Sequence, residues 1–102
     1  MAGQKFEPID PPIKVQVYLF PTEIGGRQTP VVQGEKFRPD MCFEKSNQQF
    51  WGQLDVTLPI PPGGRGEAFL VGSYPPDLSA SFKKGSVIKL IYQRCIGTAT
   101  IQ

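Results

Sequence analysis

Backbone breakers interrupt this chain so often that no long helix fits between them: eleven glycines and eleven prolines are spread over 102 residues, about twice their usual combined share of roughly 12%. Between the breakers, apolar residues recur at every second position, the period of a strand with one face buried. Ile13, Val15, Val17 and Leu19 alternate with Lys14, Gln16, Tyr18 and Phe20 before Pro21 stops the run. Phe37, Met41 and Phe43 oppose Arg38, Asp40, Cys42 and Glu44, with an irregular start at Pro39. Gly52, Leu54, Val56 and Leu58 oppose Gln53, Asp55 and Thr57. Ala68 to Val71 is continuously apolar, as expected of a strand covered on both faces. Val87 to Tyr92 and Cys95 to Ile101 close the chain as a hairpin around Gln93 and Arg94.

The expected strands are therefore 13–20, 37–44, 52–58, 67–72, 87–92 and 95–101. Six short strands in a chain of one-domain size give an all-β fold, a six-stranded antiparallel β-barrel that is closed or nearly closed, because closure removes exposed strand edges. Residues 1–12, with Pro8, Pro11 and Pro12, read as an extended lead-in, and 13–102 as the single barrel domain. The stretch from Pro21 to Gly34 reads as a long loop, Lys45 to Gln49 as a hairpin loop, and Leu78 and Phe82 as plugs over an open barrel end.

Composition narrows the chemistry. There is no histidine, which removes imidazole bases, histidine nucleophile pairs and histidine metal ligands. Cys42 and Cys95 are too few for a four-cysteine zinc site and are expected to be reduced, half-buried strand residues. The acid pairs Asp40 with Glu44 and Asp55 with Asp77 fall on solvent faces with no sign of convergence. No enzymatic activity and no cofactor or metal are expected. No apolar run approaches the roughly 18 residues of a membrane span, and the opening residues lack a signal-peptide pattern, so a cytoplasmic protein without membrane contact is expected.

Three sets of residues stand out as candidates for binding. Gly25-Gly26-Arg27-Gln28-Thr29 combines flexible backbone, a guanidinium and two hydrogen-bonding side chains, suited to a phosphate or carboxylate; a structural turn with a locally paired arginine is the alternative. Lys83, Lys84, Lys89 and Arg94 lie in a stretch after Asp77 that contains no acid, giving a basic edge or simply strands with lysines on their solvent face. Phe50 and Trp51 are adjacent on a strand and must point to opposite faces. One can fill the core while the other either caps the barrel or anchors a partner.

Several segments together resemble a known family. VQVYLFPTEIGGRQTP at Val15 to Pro30, FRPDMCF at Phe37 to Phe43, WGQLDVTLP at Trp51 to Pro59, FKKGSVIKLI at Phe82 to Ile91, then Arg94 and IGTA at Ile96 to Ala99 are similar, in order, to the third, C-terminal β-barrel domain of elongation factor Tu. In that domain the matching arginine loop lies beside the T-arm of tRNA, which implies that Arg27 and Gln28 face RNA. Gln28 stands where the family usually has histidine, and the second Gly-Gly-Arg of the family is reduced here to Arg94. The chain has neither a GxxxxGK[ST] phosphate loop nor room for a nucleotide domain, so no nucleotide is expected to bind. The resemblance implies a binding module outside the parent GTPase. Its partner is expected to be a protein, linked to translation or a ligand of elongation factor Tu, with tRNA as the alternative.

Overall fold

The computed structural model describes residues 6–24 and 26–102. Its strands are β1 (Glu7–Pro8), β2 (Ile13–Leu19), β3 (Asp40–Phe43), β4 (Gln49–Val56), β5 (Arg65–Tyr74), β6 (Val87–Tyr92) and β7 (Arg94–Ile101). Six of them close an antiparallel barrel in the cyclic order β2-β7-β6-β3-β4-β5. The ten-residue β5 makes closure possible by pairing along its first part with β2 and along its later part with β4. Ala68 sits where both partners meet, opposite Val15 and Val56. Among the described residues the helical pieces are two short 3-10 segments, Thr22–Ile24 and Pro76–Ser81.

The period-2 pattern translates directly into an inside and an outside. Val15, Val17 and Leu19 of β2, Leu54 and Val56 of β4, Ala68 and Leu70 of β5, and Ile88 and Leu90 of β6 are all buried. The predicted plugs also occupy the core: Leu78 is buried, and the Phe82 ring packs edge-on against Phe43 and Phe50, with centroids 5.0 and 5.1 Å away. The β2–β3 connection is long and mostly irregular. It is stapled to the barrel by the Val31–Ile60 and Phe37–Leu54 bridges.

Four details differ from the sequence reading. Glu7–Pro8 pairs with Tyr74 and Ser73 as a small extra strand, so the lead-in contains an element; a proline is tolerated there because the strand is an edge. The second barrel strand starts at Asp40 rather than near Phe37, since Pro39 cannot donate to the ladder. β4 begins earlier than predicted and includes Gln49 to Trp51. The apolar run Ala68 to Val71 is covered on one face only: Ala68 and Leu70 point inward, whereas Phe69 is 39% exposed on the barrel's outer wall.

The closing hairpin turns through Gln93, whose φ is 68°. A register shift between Leu90 and Ile91 leaves Ile96 as an extra residue, because Leu90 pairs with Gly97 and Ile91 with Cys95. Ile96 and Gly97 are consequently both buried.

Candidate binding surfaces

Arg27 emerges from a loop that folds back on Pro21, whose carbonyl accepts the N–H groups of Ile24 and Gly26 at 3.1 and 3.0 Å. Gly25 lies outside the described residues. The guanidinium is tied into this loop through Nε and Nη2. Its Nε donates to the Thr29 carbonyl at 2.8 Å, and Nη2 reaches the Thr29 hydroxyl, the Pro30 carbonyl and Glu35 Oε2 at 3.2, 3.2 and 3.1 Å. The same group lies 5.2 Å from the Phe37 ring centre. Glu35 is fixed in turn, accepting the Val32 N–H at 3.2 Å. Arg27 thus serves as a local clasp, while Gln28 and Thr29 are exposed.

This loop and the β6–β7 turn border an open groove of about 570 Å³. The groove brings Arg27, Gln28, Thr29 and Arg94 together, and adds Lys36, Arg38 and Tyr92. Those three were not legible as site residues, because their proximity to the loop depends on barrel closure rather than spacing. Arg38 is partly committed: its Nε donates to Gln53 Oε1 at 2.8 Å, and Gln53 Nε2 donates to Asp55 Oδ1 at 2.6 Å.

The remaining basic candidates lie elsewhere. Lys83 and Lys84 precede β6, while Arg94 follows its far end, so the six-residue strand separates them by about 17–20 Å. Lys89 lies between, on the outer wall, and its Nζ donates to Asn47 Oδ1 at 3.1 Å. The acid-free C-terminal stretch is therefore divided between two ends of the barrel.

Phe50 and Trp51 point in opposite directions, as strand geometry demands. Phe50 is 2% exposed and its ring lies 5.3 Å from that of Phe43, inside the core. Trp51 is 67% exposed and stacks on Phe6 with centroids 5.9 Å apart and planes 15° apart. The indole is flanked across the strands by Ser73 on β5 and Asp40 on β3. Directly opposed residues share a face, so Asp40 and Ser73 stand beside it on the outer wall. Of the aromatic pair, only Trp51 is available to a partner.

Among the described residues, no three cysteine or acidic side chains gather as a metal ion would require, and no helix is long and apolar enough to cross a membrane. No protein-family model matches the chain, and no curated protein matches it.

Proposed function

We propose that this protein is a non-catalytic binding module of the cytoplasm, similar to the C-terminal barrel of elongation factor Tu, that engages a protein partner through the outer-wall face centred on Trp51. The observation that carries this reading is the 67% exposure of a tryptophan held in place by a stacked phenylalanine. Large aromatic side chains dominate the energetics of protein interfaces, and Phe6 stacked on the indole enlarges the aromatic surface offered at this face. The link to the translation machinery rests on the ordered sequence resemblance.

The second reading, tRNA binding, is favoured by the groove that collects Arg94, Arg38 and Lys36 beside Gln28 and Thr29. Against it stand the ion pair that neutralises Arg27 and the division of Lys83 and Lys84 from that groove. A filter-binding titration with tRNA at low and physiological salt separates the two. For a protein-binding module, affinity at physiological salt is expected to be weaker than micromolar. Submicromolar binding that falls by roughly 0.7–0.9 log unit per phosphate contact for each tenfold rise in salt, and is lost in Arg94→Ala, would make RNA the ligand.

A further inference from the structure

At the opposite end of β6 from the Arg27 groove lies a pocket of about 360 Å³, within the roughly 300–1,000 Å³ range of small-molecule sites. Both of its walls are fixed by main-chain hydrogen bonds. One wall is the β3–β4 hairpin, where the Asn47 N–H donates to the Phe43 carbonyl at 2.8 Å and the Phe43 N–H to the Gln48 carbonyl at 3.0 Å. The other is the turn from Lys83 to Ser86, closed by the Ser86 N–H on the Lys83 carbonyl at 3.1 Å. Gly85 has φ of 90° at the third position of this turn, where a type II geometry needs a positive value. Its N–H also donates to the Ile101 carbonyl at 2.7 Å, and between the walls the Glu44 N–H donates to the Val87 carbonyl at 2.9 Å. The cavity is preformed.

Ala80, which is exposed, and Val87, which is half-buried, supply the accessible apolar lining, over Phe43, which is 3% exposed with its ring packed on Phe50 and Phe82. Around it stand Lys45, Lys83 and Lys84 against the single acid Glu44. Neither ion pair recorded among the described residues, Lys14–Glu67 and Arg27–Glu35, involves these three lysines. Cations beside a low-dielectric wall attract an anion more strongly than cations standing in open water. A bare inorganic anion would leave the apolar lining wet, and an uncharged hydrophobe would leave the lysines without a counter-charge.

We propose that this pocket binds a small amphipathic carboxylate, with its apolar body against Ala80 and Val87 and its charge among Lys45, Lys83 and Lys84. The site is separate from the Trp51 face and does not depend on what docks there. The test titrates the ¹⁵N-labelled full chain with 3-phenylpropionate, with 3-phenylpropanol and acetate as controls, and repeats the series on the variant carrying Lys83→Gln and Lys84→Gln. Saturable amide shifts confined to residues 43–46 and 80–87 are expected, with a dissociation constant in the millimolar range or tighter. Affinity should fall at least tenfold for the alcohol and for the variant, and acetate should not saturate. Shifts that do not saturate, shifts centred on the Trp51 indole, or an alcohol that binds as well as the carboxylate would overturn the assignment. Both substituted side chains are exposed, so the variant should fold; if it does not, the comparison of carboxylate with alcohol on the native chain still decides.

Discussion

Phe50 and Trp51 are neighbours in sequence, yet they belong to different parts of the protein's physics. Removing the Phe50 ring empties a site bounded by Phe43 and Phe82, so Phe50→Ala should cost about 3–5 kcal/mol of stability in chemical denaturation. Trp51→Ala removes a side chain that mostly faces water and should stay within about 0.5 kcal/mol of the wild type in the same measurement. Arg27→Ala should behave as a structural change. It breaks the contacts to Thr29, Pro30 and Glu35 and is expected to lower stability by about 1–2 kcal/mol, without altering binding at the Trp51 face. At this scale the sequence was informative about alternation and silent about partners. Strand periodicity required Phe50 and Trp51 to diverge, but which one faces in depends on the phase set by Leu54 and Val56, both buried on β4. Nothing near Arg27 in the pattern identified Glu35 as its counter-ion, because that pair forms only once the loop folds back on itself.

Among the elements, the strands were legible wherever one face alternated cleanly, as in β2 and in β4 from Gly52 onward. They were less so where local chemistry interrupts the ladder. Pro39 delays β3, and the register shift in the closing hairpin places both Ile96 and Gly97 inside. The glycine is needed there, since a Cβ at position 97 would run into the Tyr18 carbonyl oxygen. The run Ala68 to Val71 looked doubly covered because composition does not reveal that a barrel's outer wall is solvated; Phe69 is simply an apolar residue left on that wall. Hydrogen exchange offers a check on this layout. Amides of β7, paired on one side with β2 and on the other with β6, should be among the slowest to exchange. In the β2–β3 connection, Phe20 and Val31, whose N–H groups donate to the barrel carbonyls of Ile96 and Ile60 at 2.9 Å each, should exchange more slowly than amides bonded only within the loop, such as Ile24 and Gly26.

Closure of the whole barrel determines which distant residues meet. It separates Cys42 on β3 from Cys95 on β7 by the intervening β6, about 10 Å at the usual strand spacing, which is too far for a disulfide. Cys95 is half-buried as expected, but Cys42 is buried, because Met41, Cys42 and Phe43 of β3 are all covered; alkylation of the native protein should therefore label Cys95 faster than Cys42. Both should react after unfolding, without reductant. Closure also assembles the Arg27–Arg94 groove and divides the basic C-terminal stretch, neither of which local patterns could announce. On the proposed function, the whole domain presents Trp51 to a protein. The decisive measurement is capture of partners from lysate of the native host, with and without nuclease treatment, using the wild-type chain, Trp51→Ala and Arg94→Ala side by side. One protein set should be retained by the wild type and by Arg94→Ala, with or without nuclease, and lost with Trp51→Ala. Full retention by Trp51→Ala, with loss in Arg94→Ala or on nuclease treatment, would contradict that function.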